Sequence, residues 1–222
     1  MAQMAQAPFG MEAIYSFVII VCSLMIYIVT REMYELSSYK GIKYFRQAFL
    51  FFAIAYFFRS FIKIFLPYLN LIGINRIPIP LFEFATLFVF MYFSSIAVFY
   101  LMYSLMWKRL KKIPYLVYVF HALALIIAGI IIFTNKVSVL LWINFAILIF
   151  VLIVVLVSYS KSKKKRNSMY AIYVLLFIFW ALNVIDIIVP TFLQIYQLWI
   201  YLVSIGIFLL VLYKVLRKVG AD

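Results

Sequence analysis

The sequence predicts an all-α polytopic transmembrane bundle of seven helices, N-terminus outside and C-terminus in the cytoplasm. Three observations carry this. The chain of 222 residues is 69% apolar and only 12% charged. Apolar runs long enough to span a bilayer recur seven times. Basic residues gather between alternate runs. An ordinary soluble domain is about 45–50% apolar and about 25% charged, and a soluble fold of this length cannot keep so much apolar surface from water. The 24 Phe and 18 Tyr suit a lipid-facing wall or an interfacial belt.

A spanning helix needs about 20 apolar residues, because it rises about 1.5 Å per residue across about 30 Å of hydrocarbon. The segments that meet this lie near Glu12–Thr30, Phe45–Leu66, Pro80–Trp107, Pro114–Phe133, Val137–Tyr159, Met169–Pro190 and Leu193–Tyr213. The first follows "MAQMAQAPFGME", which lacks the basic start of a cleaved secretory signal, so it reads as a retained signal-anchor helix. The third is long enough to tilt or protrude. The fifth and sixth are separated by "SKSKKKRNS", which no helix leaves in lipid. Proline marks ends: Pro67, Pro78 and Pro80 around the second loop, Pro114 opening the fourth helix and Pro190 closing the sixth. The runs are too long and unbroken for the alternating strands of a membrane barrel. No soluble domain or linker interrupts residues 1–222, which form a single seven-helix domain, and short loops make sequential helices neighbours.

Orientation follows from charge. Sixteen of the 20 basic residues fall in the first, third and fifth loops and the C-terminal tail; only Arg76 and Lys136 lie opposite, and Arg59 and Lys63 lie within a helix. The positive-inside rule puts the sixteen in the cytoplasm and the protein in the cell membrane as a multi-pass chain. The formal charge of +14 is therefore a matter of topology and calls for no specific nucleic acid. The expected surroundings are the lipid bilayer, with anionic lipid at the basic cytoplasmic loops.

Candidate functional residues are polar groups inside the helices. Arg59 and Lys63 lie four apart on helix two, Glu83 opens helix three, Asn144 is in helix five, and Asn183 and Asp186 lie three apart on helix six. Counting inward at about 1.5 Å per residue puts Lys63, Glu83 and Asp186 roughly 5 Å from the outer ends. The same count puts Arg59, Asn144 and Asn183 roughly 10 Å deep. A charge in the bilayer costs about 2.5–3.5 kcal/mol on insertion scales, so each needs a partner or water. Three readings fit: an outward-facing cavity for a small polar or anionic solute, with Arg59 and Asn183 at its base, a closed ion-pair network that sets helix register, or a path for an ion or proton. The planar fork of Arg59 suits a carboxylate or an anionic ligand.

Other chemistry is excluded by what the sequence lacks. One cysteine, Cys22, rules out an internal disulfide and a cysteine zinc site; one histidine, His121, rules out a bis-histidine haem and a histidine-rich metal site. His121 reads as hydrogen-bonded packing. Ser94, Ser95, Ser204 and Gly206 read as positions of close helix packing. No H-E-x-x-H, G-x-S-x-G, Walker or dinucleotide pattern occurs, so neither an enzyme nor a cofactor is expected.

The stretch Tyr34–Arg59, "YELSSYKGIKYFRQAFLFFAIAYFFR", resembles the first-loop and second-helix region of uncharacterised archaeal seven-helix membrane proteins, through Tyr34, Gly41, Tyr44, Phe45, Arg46 and Arg59. The layout is distantly similar to the seven-helix sensor region ahead of some histidine kinases. The resemblance covers about a quarter of the chain and implies no ligand. The topology is also similar to that of microbial rhodopsins, whose retinal lysine lies in the middle of helix seven. Here that middle reads "YLVSIGIFLLVLY", and Lys214 is at the cytoplasmic end, so retinal is not expected. Three functions follow as expectations: a receptor-like or sensory module signalling to a separate membrane or cytoplasmic protein, a small-solute transporter, or a structural or assembly subunit of a membrane complex.

Overall fold

The computed structural model describes residues 9–71, 79–113, 115–134, 137–160, 168–188 and 194–219. The side chains of 9–12, 62–71, 79–83, 137, 140, 158–160, 168–170, 187–188, 194–195 and 218–219 lie outside that description. Seven helices follow in order: α1 (Phe9–Ser37), α2 (Lys40–Leu71), α3 (Ile79–Leu110), α4 (Leu116–Thr134), α5 (Val137–Ser160), α6 (Ser168–Ile188) and α7 (Gln194–Val219). No strand occurs among the described residues. Within these residues α1, α3, α4 and α7 contain spans long and apolar enough to cross a membrane, and α5 and α6 contain the shorter apolar stretches Leu141–Val157 and Ala171–Asp186.

α3, α4, α5 and α6 match their apolar runs to within a turn at each end; α1 and α7 run on about two turns past Thr30 and Tyr213, to Ser37 and Val219, and α2 exceeds its run at both ends. It starts at Lys40 and carries on past Pro67 to Leu71, five residues beyond the expected end. Its 32 residues are about 48 Å long, well over the ~30 Å of a hydrocarbon core.

The join between α1 and α2 shows why these helices form a tight hairpin. Ser38 takes the left-handed conformation, φ 49°, and its N–H donates to the Tyr34 carbonyl at 2.8 Å, closing the last turn of α1. The Tyr39 N–H donates to Ser37 Oγ at 3.3 Å, and α2 starts at the next residue. A β-branched side chain is strained at that φ, whereas glycine is not. Ser38→Val is therefore expected to lower stability by about 1–2 kcal/mol, with Ser38→Gly at or above the parent. Thermal unfolding of the detergent-purified protein checks this ordering.

Packing follows chain order and closes on itself: each helix packs on the next, and α7 returns to α1. α2 and α3 are the heart of the bundle. Phe45, Phe49, Phe52 and Tyr56 form one stripe of α2, spaced by four and three residues, and all are buried. Phe179 of α6 and Phe208 of α7 meet this stripe edge to face, with Phe52 6.5 Å and 6.4 Å from them. α4 and α5 lie at the periphery, where Tyr118, Ile126, Phe133, Trp142 and Leu156 are exposed. That surface would drive aggregation in water; in lipid it needs no cover. Ser94, Ser95 and Ser204 are buried as expected of packing positions. Gly206 is not one of them, since a Cβ there meets nothing within 4 Å.

Polar contacts tie the bundle at the end where the basic loops start. Ser104 of α3 donates to the Gly41 carbonyl at 2.7 Å and lies 2.8 Å from the Tyr173 hydroxyl of α6. Arg46 donates through Nε to the Tyr27 carbonyl at 3.1 Å, with its guanidinium 4.7 Å above the Tyr27 ring. Tyr44 packs on Tyr100, Tyr103 and Trp107. Gly41, Tyr44, Phe45 and Arg46, residues of the archaeal resemblance, thus join α2 to its neighbours.

Cys22 is 3% exposed in α1. A thiol so enclosed reacts only when the helix opens. Maleimide is expected to leave it unmodified in the folded protein and to modify it in denaturing detergent, which mass spectrometry reads directly.

Candidate functional site

The polar residues of the helices converge at the opposite end of the bundle from Ser104. Tyr15 of α1 and Tyr56 of α2 bring their hydroxyls within 3.1 Å of each other. Both face α6: the Tyr56 hydroxyl donates to Asn183 Oδ1 at 2.8 Å, and the Tyr15 hydroxyl reaches the same oxygen at 3.2 Å. The other end of the amide is held by its own helix, because Asn183 Nδ2 donates to the Phe179 carbonyl at 2.9 Å. That bond turns the acceptor oxygen toward the two phenols. Tyr15 also stacks on Tyr201 of α7, ring centroids 4.8 Å apart. Tyr15 and Tyr56 are 1% and 4% exposed, so these hydroxyls need each other and Asn183.

One turn further along both helices lies an ion pair. Arg59 Nη2 is 3.2 Å from Asp186 Oδ2, with the two side chains 17% and 10% exposed. The Arg59 guanidinium also stands 5.8 Å from the Tyr56 ring and 5.9 Å from that of Phe90 on α3. Cation–π attraction there adds to the carboxylate in offsetting the cost of a charge at this place.

The pairs have a common register. Phe52–Phe179, Tyr56–Asn183 and Arg59–Asp186 each join residues 127 apart. A constant offset means that α2 and α6 run parallel, and three rungs cross between them. The two backbones are not close neighbours; long side chains span the gap.

This geometry places the expected site residues as follows. Arg59, Asn183 and Asp186 come together. Depth counting set Arg59 level with Asn183, but Tyr56 occupies that level and Arg59 meets Asp186. The count assumed that α2 ends at Leu66. It runs to Leu71, 12 residues past Arg59, whereas α6 ends two residues past Asp186, so α2 outruns α6 by about ten residues, roughly 15 Å, and the helix ends give no common level to count from. Asn144 is buried on α5, whose neighbours are α3, α4 and α6. The Lys63 and Glu83 side chains lie outside the described residues. Tyr15, Tyr56 and Tyr201 were not legible as site residues, because nothing marks them among 18 tyrosines.

A second polar group surrounds His121 of α4. Its Nδ1 lies 2.7 Å from the Tyr92 hydroxyl and its Nε2 3.0 Å from that of Tyr100, both on α3. Tyr92 and Tyr100 are eight residues apart, two turns along one face, and they clamp the ring from both sides. His121 is packed by hydrogen bonds, as expected. Among the described residues no group of three His, Cys, Asp or Glu is placed to hold a metal ion.

No protein-family model matches the chain, and no solved structure matches it. A protein of Archaeoglobus fulgidus, described only as an uncharacterised protein, is 32% identical over 215 residues, covering 93% of this chain and 92% of that one.

Proposed function

This chain belongs to the family of that Archaeoglobus fulgidus protein, and from that premise we propose that it is a receptor-like membrane module, not an enzyme, in which an anionic solute competes with Asp186 for Arg59. One observation carries this reading. The Arg59–Asp186 pair is the outermost described rung between two parallel helices, and at 17% and 10% exposure it is only partly enclosed. An anion that takes the guanidinium fork releases α6 from α2 at that rung, and the helices carry the change to the basic end. A carboxylate or phosphate matches the fork geometrically.

The orientation proposed is that of the charge bias: basic end in the cytoplasm, Arg59 toward the outside of the cell membrane. Signal would then pass from the basic cytoplasmic loops to a membrane or cytoplasmic protein. A transporter is less well supported, because broken helices near the midplane are its mark and no described helix is interrupted. The competing reading is a structural or assembly subunit with a sealed network, which the mutually bonded Tyr15, Tyr56 and Asn183 favour.

Ser60 distinguishes these. It adjoins Arg59, is half-buried, and among the described residues bonds to the carbonyl one turn back, Tyr56, at 2.9 Å, so cysteine replaces it with little disturbance. In a Cys22→Ser background, Ser60→Cys is expected to react with a membrane-impermeant thiol reagent from the outer side alone. Reaction from both sides favours the transporter. Absence of reaction in folded protein makes the polar layer architecture and rejects the receptor reading.

A further inference from the structure

A groove lies between α3, α5 and α6, floored by Phe52 of α2, where the backbones of α3 and α6 are not close neighbours. Leu101 and Leu105 of α3, Val151 and Val154 of α5, and Leu176 and Trp180 of α6 line it. It is a shallow slot with an open side and an enclosed volume of about 30 Å³, so an occupant lies along its walls. Its walls are apolar; the hydroxyl of Tyr173, which also lines it, is held by Ser104. Short valine side chains on α5 leave the gap unfilled. Water gains nothing from entering such a space, whereas a hydrocarbon chain fits its chemistry.

One end of the groove is charged. On α3 the lining residues Val98, Leu101, Met102 and Leu105 form a helical stripe, and the same stripe continues into Lys108 and Arg109, exposed in the last turn. Helical side chains lean toward the N-terminus, which sets these two cations over the Leu105 end. From Val98 to Lys108 the helix rises about 15 Å, half of a ~30 Å hydrocarbon core and so the depth of one leaflet. An apolar slot one leaflet in length with two cations at its interfacial end is the negative image of an anionic lipid.

We propose that this groove seats one chain of an anionic phospholipid from the leaflet at the basic end, its phosphate held by Lys108 and Arg109. Trp180 reports on the seat. With Trp107, Trp142 and Trp199 changed to Phe, the full-length protein is reconstituted in bilayers containing either phosphatidylglycerol or phosphatidylcholine with brominated chains. Bromine quenches tryptophan only on contact. Two basic residues at a membrane surface favour anionic lipid by roughly tenfold or more. A preference of about that size for phosphatidylglycerol in Trp180 quenching is expected, falling to near equality in Lys108→Gln/Arg109→Gln. Both residues are exposed, so the double variant keeps the fold, and the untouched 161–166 run keeps the general attraction to an anionic leaflet. Equal quenching by both lipids, no quenching, or a preference that survives the double variant overturns the proposal. Val154→Phe, which fills the groove, is expected to weaken quenching by either lipid. Unchanged quenching in that variant means that bromine reaches Trp180 by another route, and also overturns it.

Discussion

Asp186→Asn is expected to destabilise the detergent-purified protein by about 3 kcal/mol, the lower end of the cost of breaking a buried ion pair. The amide keeps the shape of the carboxylate and removes only its charge. Arg59 stays ionised under all ordinary conditions, so the variant leaves a cation in a place where Asp186, 3.2 Å away, had opposed it. The two aromatic rings near the guanidinium recover a part of the loss. The same argument predicts rescue. Arg59→Met combined with Asp186→Leu removes both charges and keeps apolar volume, so its midpoint of thermal unfolding is expected within a few degrees of the parent, as for other ion pairs replaced by packed apolar residues. An unchanged midpoint in Asp186→Asn refutes the pairing. Rescue in stability with loss of anion response separates architecture from recognition.

Asn183→Leu is expected to cost about 1–2 kcal/mol, at the upper end of measured interhelical hydrogen bonds in membranes. It removes the acceptor shared by the Tyr15 and Tyr56 hydroxyls and leaves them only each other, 3.1 Å apart. Two phenols can satisfy one donor between them, so one proton loses its partner. Tyr56→Phe in the Asn183→Leu background therefore costs less than Tyr56→Phe in the parent. A double-mutant cycle by denaturing-detergent titration measures this coupling, expected at about 1 kcal/mol. Additive costs mean that the three groups do not act together.

Much of the fold was legible because membrane insertion is a local sum. Whether Leu116–Thr134 spans a bilayer depends on its own residues and hardly on what packs beside it. The ends were less secure, and α2 shows why. Pro67 and the polar residues near it looked like a stop, but proline is tolerated in a membrane helix when neighbours accommodate the freed backbone groups. The helix runs on to Leu71.

Because α2 and α6 end at different heights, counting from their ends put Arg59 level with Asn183, one turn from the Asp186 it meets. Arg59, Asn183 and Asp186 were recognisable in the sequence because charge and amide stand out against an apolar background. Tyr15, Tyr56 and the two tyrosines that clamp His121 were not, since a tyrosine hydroxyl serves equally in an interfacial belt, a lipid-facing wall or a buried bond.

The sequence by itself therefore determined the seven-helix class, the chain order of the helices, the gathering of basic residues at alternate loops, and which charges need an answer. The tertiary structure alone decided the answers: Asp186 for Arg59, two phenols for Asn183, and the parallel register of α2 and α6 at a constant offset of 127 residues. The physical reason is range. Transfer of a helix into lipid is additive along the chain, whereas a hydrogen bond or ion pair depends on the rotation and sliding of two helices to within about an ångström, which no local stretch of sequence contains.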